Sequence, residues 1–180
     1  MNYYSEYSED EWIDRNLNLP EKGVYVDCGA AYPFLRSNTA FLRERGWKGV
    51  AIEGNPYYLP EWTSNLVIAV LSQNPEARFD YHYAPDLSGI RPEGTPVRCR
   101  TLESILIEYG IEKVDFLSLD LEGSEFDALL SMNIARHEPS IIVSEYATAG
   151  KSDDWRVRDY LNTLGYKQVH QTVANAIYTK

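Results

Sequence analysis

The 180-residue chain is 44% hydrophobic and carries a formal net charge of −10. That length suits a single domain, residues 1–180 with 1–22 as an N-terminal helical extension, whose folding buries roughly 70% of the unfolded surface. The negative field repels phosphate backbones and anionic headgroups, so neither nucleic acid nor a membrane is expected as a partner. Cys28 and Cys99, the only cysteines, supply neither a disulfide framework nor a zinc spacing. No stretch reaches the length of a membrane span, and the acidic, tyrosine-rich start is unlike a signal peptide, so a reducing cytoplasmic setting is expected.

Glu9 to Leu17 predicts a short helix, and the acids gathered there (Glu6, Glu9, Asp10, Glu11 and Asp14) read as a solvated face. Gly23 to Cys28 is a near-continuous apolar run, as in a strand covered on both faces. Asn38 to Arg45 follows as a helix, capped by Ser37 or Asn38 and ended at Gly46, with Arg43 and Arg45 favoured by the dipole in its last turn. Val50 to Glu53 is the second strand and Leu66 to Leu71 the third. Between residues 73 and 96 prolines break the pattern, although Ala77 to Tyr83 alternates like an edge strand, with Val97 to Arg100 as a candidate partner. Thr101 caps a helix that runs to about Tyr109 and stops at Gly110.

Val114 to Leu119 is the fourth core strand and delivers Asp120. Ser124 with Asp127 forms a capping box for a helix with Phe126, Leu129 and Leu130 on one face. Ile141 to Ser144 is the fifth strand and delivers Glu145. Ser152-Asp153-Asp154 opens the last helix, striped by Val157, Leu161 and Leu164 and ended by Gly165. Tyr166 to Thr172 and Ala176 to Thr179 close the chain as a hairpin around Ala174-Asn175. This order predicts an α/β fold: a doubly wound, Rossmann-like, mostly parallel sheet with a C-terminal antiparallel hairpin. Ligands in such sheets bind beyond the carboxyl ends of the strands. Here those ends are Cys28-Gly29, Glu53, Leu71, Asp120 and Glu145.

A strand that runs into a glycine turn, followed by a strand ending in a carboxylate, suits a nucleoside: backbone at the turn, Glu53 on the ribose hydroxyls. A dinucleotide needs three glycines there. This turn reads Gly29-Ala30-Ala31-Tyr32-Pro33-Phe34, and Pro33 also removes an amide donor. A nicotinamide-dependent oxidoreductase is thus disfavoured. S-adenosylmethionine has no pyrophosphate and needs only a turn that admits its amino-acid end plus an acid for the ribose. Gly29, Asp27 and Glu53 meet those needs.

Several ordered blocks then carry a resemblance. Val26-Asp27-Cys28-Gly29-Ala30-Ala31, Ser37-Asn38-Thr39, Gly46-Trp47-Lys48-Gly49, Ile52-Glu53-Gly54-Asn55-Pro56, Thr101-Leu102-Glu103-Ser104-Ile105 and Asp115 to Glu125 together resemble the FkbM-type family of S-adenosylmethionine-dependent methyltransferases, of the class I methyltransferase fold. The resemblance implies that Asp27, Gly29 and Ala30 lie against the methionine portion of S-adenosyl-L-methionine. It implies that Ser37, Asn38 and Thr39 open the helix beneath it, Glu53 holds the ribose with Asn55 beside the adenosine, Leu71 and Ser72 flank the adenine, and Asp120 faces the methyl group and the acceptor. The chain departs from the family pattern at Tyr32-Pro33, where a second glycine is usual, and at Gly54, where a proline is more frequent.

The expected reaction is O-methylation of a small-molecule or carbohydrate hydroxyl, with Asp120 as first candidate for the base, Glu145 as second, and His82 and His170 as outside options. Glu122 reads as an organiser of the turn before Ser124. No tight carboxylate cluster marks a metal site and no metal ligand is assigned, although Asp120 and Glu145 with waters would suit magnesium. Tyr57 to Trp62 follows the ribose acid and suits a pocket wall, while Tyr3, Tyr4 and Tyr7 read as a lid or a frayed terminus. A relic of the same fold that binds a nucleoside without reacting stands as the alternative.

Overall fold

The computed structural model describes residues 2–63, 65–74, 76–81, 88–147 and 154–180. In chain order its elements are α1 (Glu9–Asn16), β1 (Val24–Cys28), α2 (Ala40–Glu44), β2 (Lys48–Glu53), a 3-10 turn (Pro56–Glu61), β3 (Leu66–Ile68), β4 (Arg78–Asp80), β5 (Gly89–Ile90), β6 (Thr95–Pro96), α3 (Leu102–Glu108), β7 (Phe116–Leu119), α4 (Glu125–Leu130), α5 (Ile134–His137), β8 (Ile141–Glu145), α6 (Arg156–Thr163), β9 (Lys167–Gln171) and β10 (Asn175–Thr179). A seven-stranded sheet of order β3-β2-β1-β7-β8-β10-β9 forms the centre. Strands β3, β2, β1, β7 and β8 are parallel, and β10 runs antiparallel to both β8 and β9. The expected parallel sheet with a closing hairpin is therefore present, and strand order reverses between β1 and β7. Their carboxyl ends flank the switch point where such folds bind ligands.

Both faces are covered. On one, Leu102, Ile105 and Leu106 of α3, Ala128 and Leu129 of α4, and Val157 and Leu161 of α6 pack on Val26, Ile52, Leu117 and Ile142. On the other, Ile13 of α1 with Phe41 and Leu42 of α2 packs on Tyr25, Phe116, Val143 and Ile177. Burial from two sides explains why β1, β7 and β8 read as near-continuous apolar runs rather than alternating ones. Alternation along each strand then puts Asp27 on the α1/α2 face with Tyr25, Ser118 with Phe116, Glu145 with Val143, and Asn175 with Ile177. Polar groups thus gather on one face at the carboxyl ends.

Several expectations need correction. The third strand ends at Ile68, and Leu71 is held instead by a bridge to Arg100. The alternating segment is realised as β4, but its partners are β5 and β6 in a separate three-stranded antiparallel sheet. Ser124 makes no side-chain cap, and Leu130 is exposed rather than on the core face of α4. Helix α5 was not foreseen, although Asn133 caps it through Arg136 N–H. The acids around α1 are not all solvated, since Glu9 and Asp10 are fully buried. Glu9 accepts from Thr172 Oγ1 at 2.8 Å and Asn175 Nδ2 at 2.9 Å, tying α1 to the closing hairpin. Asp10 accepts from the amides of Tyr4 and Ser5. With Tyr3 donating to Asp14 and Tyr4 to Glu44, the start of the chain is anchored, not frayed. His82 and the Ser152-Asp153 part of the last cap lie outside the described residues.

Candidate active site

Beyond the carboxyl ends of β1, β2, β7 and β8 lies a cavity of about 310 Å³, within the size range of small-ligand sites. Gly29 fixes its floor. The residue has φ +84°, and a Cβ there would overlap the Asp120 carbonyl oxygen, so the β1 turn and the β7 end approach each other as only glycine permits.

The turn after β1 is folded onto β2. Gly29 and Ala30 N–H both donate to the Ile52 carbonyl, at 2.9 and 3.1 Å. Ala31 N–H donates to Glu53 Oε2 at 3.0 Å, and Asn55 N–H to Glu53 Oε1 at 2.7 Å. Burial pushes the Glu53 carboxyl above its ordinary range, opposed by the amides of Asn55, Ala31 and Gly54. Tyr32-Pro33 has its own supports. Trp62 Nε1 donates to the Ala31 carbonyl at 2.7 Å, Arg43 donates to the Pro33 carbonyl, and the Tyr32 ring meets Tyr58 edge-on at 4.8 Å. Arg43 in turn lies 4.8 Å from the Trp62 ring. The other departure, Gly54, has a packing cause: a Cβ there would stand 2.6 Å from Cζ of Phe79, which lines the cavity from β4.

Asp27 is buried under this end. It accepts from Thr39 Oγ1 at 2.6 Å, and Arg43 donates to the same hydroxyl at 2.6 Å. Burial raises the Asp27 carboxyl, against the Thr39 hydrogen bond and the Arg43 charge. The N-cap position of α2 is Thr39, without a side-chain cap, rather than Ser37 or Asn38; Ser37 Oγ accepts from Ala40 N–H at 3.1 Å just before the helix, and Asn38 Nδ2 donates to Ser118 Oγ at 3.3 Å.

The β7/β8 end is built differently. Asp120, Glu122 and Glu145 each turn a carboxylate oxygen to within 4.8 Å of the others. The sequence marked no such cluster. It forms because Glu122 has φ +54° and Gly123 φ +97°, which fold the chain back after Asp120. Glu125 organises that turn, accepting from Leu121 N–H at 2.7 Å and Gly123 N–H at 3.0 Å. Burial, then the charges of Glu145, Glu125, Glu122 and Asp27, hold the Asp120 carboxyl well above the ordinary carboxylate range.

Of the residues named from sequence, Asp27, Gly29, Ala30, Ser37, Asn38, Glu53, Leu71, Asp120 and Glu145 line the cavity. Thr39, Asn55 and Ser72 lie behind its lining. Thr39 supports Asp27, Asn55 caps the 3-10 turn through Tyr57 N–H, and Ser72 holds Asn74 N–H. His170 stacks on Trp12 at 4.2 Å, away from the cavity. Sequence reasoning missed Glu6, Arg36, Ser118, Phe79 and Asn175, which also line it, and favoured fraying over a lid for Tyr7, which lines the cavity too. Ser118 was readable, since a serine two residues before Asp120 on an apolar strand must share its face.

A search of curated proteins finds no match to the chain. The family model described as the Methyltransferase FkbM domain matches residues 27–167, well over half of the sequence and every strand end described above. The chain belongs to the FkbM methyltransferase domain family.

Proposed function

We propose that this methyltransferase uses S-adenosyl-L-methionine to methylate a hydroxyl of a small or carbohydrate acceptor. One observation carries the choice of cofactor. The amides of Gly29, Ala30 and Ala31, which a pyrophosphate would need, are all donated to β2. A phosphate-bearing nucleotide finds no cradle there, whereas a cofactor whose charges are a sulfonium and an amino acid suits a cavity lined by Asp27, Glu53 and Asp120.

When bound, S-adenosylmethionine supplies a methyl group whose departure leaves a neutral thioether. Glu53 would hold the ribose hydroxyls, for its two amide bonds leave lone pairs on both oxygens. Asp27, Gly29, Ala30, Ser37 and Asn38 would take the methionine end, and Leu71 the adenine. Asp120, with Glu145 beside it, would receive the acceptor's proton. That carboxylate would take the hydroxyl proton and leave the acceptor oxygen nucleophilic. The leaving group needs no help, so positioning carries most of the rate.

Calorimetry with S-adenosylmethionine, S-adenosylhomocysteine and NAD tests the reading. The two sulfur nucleosides should bind and NAD should not; heat from NAD alone would overturn it. Glu53→Ala should weaken binding at least tenfold, and undiminished binding would remove the ribose role. Cofactor binding without transfer across a broad hydroxyl panel would leave a nucleoside-binding relic.

A further inference from the structure

The β7/β8 end of the cavity contains more negative charge than one proton acceptor needs. Asp120, Glu122 and Glu145 come from two strand ends and one turn, and their oxygens converge within 4.8 Å. A second observation is independent of that crowding. Asn175 stands opposite Glu145 across the β8–β10 pair, lines the same cavity and is 6% exposed. Its Nδ2 donates to Glu9, yet its Oδ1 has no hydrogen-bond partner among the described residues. Exchanging the amide's N and O would not repair this, because it would set an oxygen against the Glu9 carboxylate. A buried carbonyl oxygen without a partner is costly, and here it belongs to the residue paired with Glu145 of the acidic cluster.

We propose that Asp120, Glu122 and Glu145 hold a divalent cation of the magnesium or manganese class at the acceptor end of the cavity, with Asn175 Oδ1 completing its surroundings directly or through a metal-bound water. Among the described residues the donors that converge there are oxygens, which suit hard cations rather than zinc or copper. Separations of up to 4.8 Å between donors are wider than a finished octahedron, so the carboxylates close slightly on the ion and waters fill the other positions. Each carboxylate gives one oxygen, leaving the second oxygen of Asp120 for the acceptor's proton. This deepens the methyl-transfer reading and rests on it for the ion's role: a hydroxyl bound to the cation ionises more readily.

The probe is Mn2+, followed by the loss of its free-ion paramagnetic resonance signal on titration with chelator-stripped protein. One ion per chain should bind. Asp120→Asn and Glu145→Gln should each weaken binding by roughly tenfold or more, as should Asn175→Ala, while Glu112→Gln, an exposed acid at the opposite end of the sheet, should not. The amide variants keep the shape and remove repulsion, so they should remain folded by circular dichroism. Absence of saturable Mn2+ binding, or binding indifferent to both Asp120→Asn and Glu145→Gln, overturns the site. S-adenosylmethionine calorimetry in excess chelator separates the two claims. Cofactor binding with no Mn2+ site refutes the cation and leaves the methyl donor; a Mn2+ site with no cofactor heat does the reverse.

Discussion

The two ends of the cavity use the same residue types in opposite ways. At the β1/β2 end, Glu53 is held by the amides of Ala31 and Asn55, and Asp27 by the Thr39 hydroxyl, with Arg43 behind it. At the β7/β8 end, Asp120, Glu122 and Glu145 face one another. A carboxylate held by donors is fixed in place, which serves recognition. Carboxylates pressed together favour a proton or a cation, which serves chemistry. The two ends meet at a close approach of Gly29 to the Asp120 carbonyl.

Breaking that approach should have the largest effect. Gly29→Ala puts a methyl where the Asp120 carbonyl oxygen lies and forces a side chain into φ +84°. Neither strand can retreat, since Gly29 N–H is bonded to Ile52 and Asp120 N–H to Cys28. Urea denaturation should show a loss of about 3 kcal/mol or more, or no folded protein at all. Full stability in this variant would mean that the two ends are not in backbone contact.

Next comes the held end. Glu53→Ala strands the amides of Ala31 and Asn55 under a 7%-exposed position, which should cost about 2–4 kcal/mol by the same assay. Glu53→Gln keeps one acceptor oxygen and should cost less. If the two variants were equally stable, the amide bonds would not be what fixes this carboxylate.

The crowded end should answer with the opposite sign. Burial and neighbouring acids raise Asp120 above its unfolded value, so folding favours its protonated form. Its contribution to stability is full below the unfolded carboxylate range, near pH 4, and is lost as pH rises through the raised folded value. In chelator, Asp120→Asn should therefore match the parent protein near pH 4 and exceed it at pH 7, with a melting temperature higher by on the order of 2–4 °C. A lower melting temperature at pH 7 would show that the Asp120 charge is already compensated.

How far this contrast was legible in the sequence depends on the range of the contacts. The ends of β2, β7 and β8 were readable because an apolar run terminating in Glu53, Asp120 or Glu145 is a local pattern. The cluster was not, because Glu122 joins it only through a positive φ that no side chain there advertises. Nor was the partnerless Asn175 oxygen, which results from Glu9, at the other end of the chain, claiming the amide nitrogen. Gly54 was visible as a departure from the family pattern, but its reason, the Phe79 ring, comes from a separate sheet. The burial of Glu9 and Asp10 was misread for the same cause: a charge run looks solvated until its distant partners are known.

The smallest expected effect tests how the held end supports its unusual turn. Ala31 sits at φ +42° and is gripped on both sides, its N–H by Glu53 and its carbonyl by Trp62 Nε1–H. Trp62→Phe removes only the second grip, for the phenyl ring still offers Arg43 an aromatic face. The cost should be about 1 kcal/mol, the net worth of one hydrogen bond. Methionine-end recognition should suffer more than stability, because the freed Ala31 peptide is the part of the turn nearest Tyr32-Pro33. Calorimetry should show S-adenosylmethionine affinity falling severalfold while Mn2+ affinity at the far end stays unchanged. Equal losses of both would mean that the two ends act as one unit, and that the division between a held end and a crowded end is geometric only.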